Sequence, residues 1–510
     1  MITQNHLAHS IRRASLGRGD APFLVLPTSG RTISYDAFFA NAQRIAAVLA
    51  ASGVQPGDRV AVQAAKTVTM LELYVATVLA GAVFLPLNPA YTTPEVRYFL
   101  NDATPRVFVC DATRLSALAP VAKKAGADAV LSLNPDETGT LPELRDAQSP
   151  GFDPRPRAPE DLAAILYTSG TTGRSKGAML SHRALASNSE TLRDLWRFTA
   201  RDVLIHALPI FHTHGLFVAT NITMMAGGQA IFLDRFDVDA IIKLMPGASA
   251  MMGVPTFYTR LLNHPDLGRV ARDMRLFISG SAPLLAETHA QWSDVTGHAI
   301  LERYGMTETN MTASNPYEGA RRAGTVGLPL PGVEVRVSDP ETGAALAPGE
   351  IGVLEVRGPN LFSGYWNMPE KTAEEMRTDG FFITGDIATI DATDGYATII
   401  GRAKDMIISG GLNVYPKEVE TLIDALPGVL ESAVIGVPHA DLGEGVVAVV
   451  VCGPGADLGP AEILASLRGS LAGFKRPKRI VFRPELPRNT MGKVQKNALR
   501  QEFAGLFRAA

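Results

Sequence analysis

Residues 167–177 read YTSGTTGRSKG, with three Gly, three Thr, two Ser, one Arg and one Lys in eleven positions. Glycine lets successive backbone N–H groups turn toward a single anion, and Gly170, Gly173 and Gly177 are spaced to do so. Thr168, Ser169, Thr171 and Thr172 add hydroxyl donors, and Lys176 adds a point charge. The chemistry these types suit is the wrapping of a polyphosphate. The loop is not a Walker motif: counted from Gly170, Ser175 stands where the second glycine belongs and Gly177 where Ser or Thr belongs. Nor does a G-x-G-x-x-G open a helix here. A flexible surface turn is the competing reading, and the loop alone leaves both open.

The elements that must hold such a loop are legible around it. The apolar run LAAIL leads into it as a buried strand, and RVAVQAA, GAVFLPLNP, RVFVCD and DAVLSL have the same character. Helical patterns lie between them, in YDAFFANAQRIAAVLAASG and VTMLELYVATVLAG, and more strands follow in DVLIHALP, QAIFLD, ASAMMGVP, MRLFISGSAP and AILERYGMTE. Strands alternating with helices predict α/β layers with largely parallel sheets. From about residue 325 short strands and turns take over, predicting a β-rich subdomain, and after GRAKD a smaller α+β unit follows. The expected division is 1–402 for a large N-terminal domain and 403–510 for a small mobile one. The Pro- and charge-rich stretch NPDETGTLPELRDAQSPGFDPRPRAPED reads as an irregular surface connection.

With 510 residues the chain is too long for one core. A net charge of −3 supplies no overall basic field for nucleic acid or an anionic membrane, and neither is expected as a partner. No apolar run is long enough to span a bilayer. The start, MITQNHLAHSIRRASLGRGD, lacks the apolar stretch of a secretory signal; its three Arg and one Asp leave a transit peptide as the alternative to the expected cytoplasmic location. Cys110 and Cys452 both sit in or beside apolar runs and read as buried thiols rather than a disulfide.

Four further motifs follow the loop: YGMTET (304–309), FFITGD (381–386), GRAKDMIISGGLNVYPKEVE (401–420) and PRNTMGK (487–493). Together they resemble the adenylate-forming superfamily of acyl-CoA synthetases, luciferases and peptide-synthetase adenylation domains. The resemblance implies that a carboxylate attacks the α-phosphorus of ATP, giving an acyl-adenylate and pyrophosphate, and that a thiol then releases AMP. It implies that the loop holds the β- and γ-phosphates, that Glu308 is the Mg²⁺ carboxylate and that Thr307 meets the α-phosphate. It places Tyr304 and Gly305 on one side of the adenine and Gly280, Ser281 and Ala282 on the other, with Asp386 and Arg402 at the ribose. Lys493 would bridge acid and nucleotide, and would be the target of a lysine acetyltransferase. Lys404 would be the hinge of a rotating C-terminal domain, whose Gly410 and Gly411 pass the pantetheine arm of coenzyme A. Lys475, in the basic segment GFKRPKR, would meet coenzyme A phosphates, although a solvated turn explains that segment equally well.

No carrier domain follows Lys493, so free coenzyme A is the expected acceptor. For the acid, LPIFHTHGLF, GVPTFYTR and LERYGMTETNM resemble malonyl-CoA synthetases. A second carboxylate must be paired once buried, and arginine can take it bidentately. The resemblance implies Arg260 as the clamp, Met306 against the central carbon and His214 at the entrance, with His212 nearby; Arg303 is the alternative clamp. Malonate is the expected acid and methylmalonate a plausible second. A short- or medium-chain or an aryl acyl-CoA ligase is the competing function.

Overall fold

The computed structural model describes residues 2–168, 175–409, 412–439, 441–456, 458–468, 470–489 and 492–507, apart from the side chain of Asn413. Among these residues the strands form four sheets. The first orders Ala129–Ser132, Val107–Cys110, Arg59–Gln63, Val83–Pro86, Leu162–Thr168 and Lys176–Ser181. It is parallel except at Lys176–Ser181, which turns back antiparallel on Leu162–Thr168. The second sheet has a parallel centre, from Gln229–Phe232 through Val203–His206, Ala250–Gly253 and Leu276–Ser279 to Leu301–Met306, with antiparallel strands at both edges. Helices cover both sheets, so the central strands are apolar on both faces, as the continuous runs in the sequence require.

Helix Val68–Leu79 is apolar around its circumference and every residue in it is buried. Its one carboxylate, Glu72, survives there because Asn41 donates to it at 2.8 Å and Arg145 pairs with it at 3.1 Å. That arginine corrects the reading of the Pro-rich stretch as wholly irregular: Thr140–Asp146 is a helix, docked to deliver Arg145 to a buried charge. Side-chain caps set several helix starts where the sequence provides them, at Ser34, Thr67 and Ser181.

The β-rich subdomain is the antiparallel sheet Glu334–Ser338, Gly352–Arg357, Phe382–Ile390 and Ala397–Arg402. The C-terminal unit packs Pro416–Asp424, Pro460–Ser466 and Lys496–Glu502 around Val429–His439, Gly443–Cys452 and shorter strands. Its two long strands form its centre, ten register pairs running from Val429↔Cys452 to His439↔Gly443. Cys110 is buried, whereas Cys452 is half-buried, and both are free thiols. Among the described residues no helix is long and apolar enough to cross a membrane.

Candidate active site

The cleft is built at the C-terminal ends of parallel strands, where an open α/β sheet leaves room for ligands. Strand Leu301–Met306 ends there and turns through Thr307, Glu308 and Thr309 into Asn310–Ser314. A bulge at Tyr304/Gly305 brings the two strands so close that a Cβ on Gly305 would lie 1.9 Å from the Asn310 carbonyl oxygen. Only glycine fits, and the turn is thereby held in place.

The β-rich sheet supplies the next group. Asp386 and Arg402 are register partners on adjacent strands, and Arg402 Nε lies 2.6 Å from Asp386 Oδ1. The Tyr304 hydroxyl donates to the other carboxylate oxygen. Each oxygen keeps a lone pair free, so the carboxylate can still accept from a sugar hydroxyl.

Glu308 is 5 % exposed, and burial raises its pKa. It has no ion-pair partner among the described residues, a state that fits a divalent cation. A single carboxylate suffices for Mg²⁺, which retains waters and phosphate oxygens. The Tyr365 hydroxyl lies 3.1 Å from Glu308 Oε1 and 2.6 Å from Glu375 Oε2, and the Thr168 hydroxyl 3.4 Å from Glu308 Oε1. Glu375 also holds Lys176, with Nζ at 3.0 and 3.2 Å from its oxygens and 4.0 Å from the Tyr365 ring centroid. Lys176 is therefore pre-paired rather than a free charge. Tyr365 and Glu375 were not singled out in the sequence: they lie in a Tyr- and Glu-containing stretch with no motif, and folding alone brings them to Glu308. Ser169, Gly170, Thr171, Thr172 and Gly173 lie outside the described residues.

On the acid side, the two candidate arginines separate. Arg303 is 4 % exposed, and its Nε and Nη2 have no hydrogen-bond partner. Burial lowers its pKa to about 9, and its charge helps depress both His212, to about 4, and His214. Burial is the larger cause for each histidine, so both rings are neutral at pH 7. His214 Nδ1 lies 3.2 Å from the hydroxyl of Ser281, a residue with φ of 73° in the left-handed region. Such strain in a non-glycine residue is a feature of functional sites. Arg260, by contrast, is exposed on helix Pro255–Leu261, 6.0 Å from the Phe236 ring centroid and without a carboxylate partner among the described residues. Met306 is half-buried against the core of the large domain.

The C-terminal unit reaches into the same cleft. A Cβ on Gly492 would stand 3.2 Å from the Thr256 hydroxyl oxygen, so the loop touches helix Pro255–Leu261. The next residue, Lys493, is solvent-accessible in the cleft yet ringed by protein. That surrounding and the charge of Arg402 lower its amine to about 8, with Asp386 opposing. Lys404 lies in the turn Ala403–Asp405, and Arg500 pairs with Asp405 at 2.9 Å. Lys475 is engaged by Glu418 at 2.7 and 2.8 Å. Gly410 and Gly411 lie outside the described residues.

This fold and cleft define an adenylate-forming enzyme, and the chain belongs to the AMP-binding enzyme family, which matches residues 11–366, with the AMP-binding enzyme C-terminal domain matching 418–493. It is similar to the crystal structure of ATP-bound MatB from Rhodopseudomonas palustris, with 57 % identity, a TM-score of 0.96, and 99 % of this chain and 100 % of that one covered. Against apo MatB from the same organism the TM-score is 0.86, with the same coverage. Among characterised relatives it is 34 % identical to a malonate–CoA ligase of Arabidopsis thaliana (88 % and 79 % of the two chains) and 36 % identical to a feruloyl-CoA synthase of Amycolatopsis (93 % and 94 %). Overall identity therefore leaves the choice of acid to the pocket.

Proposed function

We propose that this protein ligates malonate to coenzyme A at the expense of ATP, through malonyl-adenylate, with release of pyrophosphate and AMP. One observation carries the choice of acid: a buried guanidinium, Arg303, with two unpartnered nitrogens beside neutral His212 and His214. A buried cation left unpaired is costly, so the site is built for an anion that arrives with the substrate. The proximal carboxylate of malonate is the nucleophile, and the distal one pairs with Arg303. We assign this role to Arg303 in preference to Arg260, which is exposed on helix Pro255–Leu261. Methylmalonate is the expected second substrate, since Met306 is flexible and one methyl is rejected by only about 10–200-fold.

In the first step a malonate oxygen bonds to the α-phosphorus and pyrophosphate leaves. Asp386 and Arg402 hold the ribose, Tyr304, Gly305 and residues 280–282 flank the adenine, and Thr307 contacts the α-phosphate. Glu308, steadied by Tyr365, would hold Mg²⁺, which supplies charge neutralisation on the phosphates. Lys493 spans acid and nucleotide and stabilises the charge that develops between them. In the second step the coenzyme A sulfur attacks the acyl carbon, its proton is lost and AMP departs. We assign the units as 1–402 and 403–510 with Lys404 as hinge, rotation replacing Lys493 by the 410–411 backbone. Lys475 would leave Glu418 for a coenzyme A phosphate, and acetylation of Lys493 would silence the first step by removing its charge.

The test is a panel of malonate, methylmalonate, butyrate and benzoate, measuring AMP release with and without coenzyme A. Malonate should lead, with AMP release dependent on coenzyme A. Preference for butyrate or benzoate would transfer the assignment to a monocarboxylate ligase.

A further inference from the structure

We propose that Arg488 is a positioning residue for adenylation, tying the loop that carries Lys493 to the central sheet of the C-terminal unit. The inference rests on the reading of Lys493 given above.

The described residues on either side of 490–491 are tied to one another. Gln495 N donates to Pro487 O at 2.8 Å, Asn489 N to Lys493 O at 2.9 Å, and Gly492 N to Asn489 O at 2.9 Å. Lys493 N donates to the Asn489 side-chain oxygen at 2.9 Å, and Arg488 and Val494 form an antiparallel bridge. The loop's stems are packed too: Leu486 is buried and Val494 packs with it against Leu499 and strand Val429–His439. These contacts seat the stems of the loop, and a further tie holds its Gly492 end to that sheet.

Arg488 makes that tie. Its Nη1 donates to the carbonyl of Gly492 at 2.5 Å and its Nη2 to Glu431. Glu431 stands on strand Val429–His439, in register with Val451 of the neighbouring long strand. The planar fork thus spans from a paired strand to the residue immediately before Lys493. That residue, Gly492, has φ of 73° and is the point at which the loop meets Thr256 of the large domain. A small rotation at Gly492 is carried down the four-carbon stem to the ammonium, where placement decides how well it meets developing charge.

The competing view is an exposed ion pair of little consequence. The two half-reactions separate the views, because Lys493 serves only the first. The full-length protein and its R488A, R488K, E431Q and K493A variants would be assayed for malonate-dependent pyrophosphate release. AMP release from chemically prepared malonyl-adenylate and coenzyme A would be assayed in parallel, with melting temperatures as a check on folding. R488A should lower kcat of the first half-reaction by about 10–100-fold, with KM for ATP and malonate nearly unchanged and the second half-reaction intact. R488K should recover part of the loss, and E431Q should show a smaller fall in the same half-reaction; E431Q carries the test if R488A does not fold. An unaltered first half-reaction in R488A, or an equal fall in both, overturns the proposal. If K493A retains pyrophosphate release, the Lys493 reading fails and this inference with it; if K493A is inactive while R488A and E431Q are unimpaired, the inference alone fails.

Discussion

The guanidinium of Arg303 fills the space that a side chain at position 280 would take: a Cβ on Gly280 would stand 2.4 Å from Arg303 Cζ. The residue that follows strand Leu276–Ser279 and a residue within the neighbouring strand Leu301–Met306 are thus matched, the absence of one side chain permitting the buried charge of the other.

Replacing Gly280 by Ala should therefore displace the guanidinium. We expect KM for malonate to rise by about 10-fold or more, while a monocarboxylate such as butyrate is affected less, because the lost contact is specific to the distal carboxylate. Steady-state kinetics on both acids check it; equal effects would argue for a general distortion.

Arg303→Ala should be more severe. Truncating one partner of a buried charge pair costs about 3–5 kcal/mol, which corresponds to a loss of roughly 100–5,000-fold in kcat/KM for malonate. Butyrate turnover should persist or improve, and folding should not suffer, since an unpaired buried cation is removed. Arg260→Ala, at an exposed position, should alter malonate adenylation by only about 2–3-fold.

Adenylation should fall as pH rises through about 8, the value to which protein surroundings and Arg402 bring the Lys493 amine. The charged ammonium is the active form, so activity is held below that value and lost above it. The pH profile of kcat/KM for pyrophosphate release should show this limb, and thioester formation from supplied adenylate should not.

Tyr365→Phe removes the hydroxyl shared by Glu308 and Glu375. Loss of such a supporting hydrogen bond should weaken Mg²⁺-dependent ATP binding by about 10–100-fold. Calorimetric titration of Mg·ATP in the absence of acid reads this without turnover.

Glu302 supplies a stability prediction. Burial raises its carboxyl to about 8, with Gly324 N as its one hydrogen-bond donor among the described residues. A raised carboxyl pKa favours the folded state fully below about 4.5, and that contribution is lost as pH climbs through about 8. Glu302→Gln should therefore raise the melting temperature relative to the parent at pH 8 and leave it nearly equal at pH 5. A gain of the same size at both values would defeat the account.

The sequence by itself determined the family, the alternation of strands and helices along the chain, and the motifs that the fold brings to the cleft. Those features are local: apolar runs with period or continuity, glycines demanded by close backbone approach, and motifs whose spacing is fixed by a single turn, as at residues 304–309. Tertiary structure alone decided which arginine is buried, because GVPTFYTR and LERYGMTET each present one and only packing separates an exposed helix position from a strand position against Gly280. It likewise paired Lys176 with Glu375 across 199 residues and turned Arg145, within an apparently irregular stretch, into the partner of a buried carboxylate. Charge partners are chosen by proximity in space, and electrostatic energy in a desolvated interior depends on distances that no local pattern encodes.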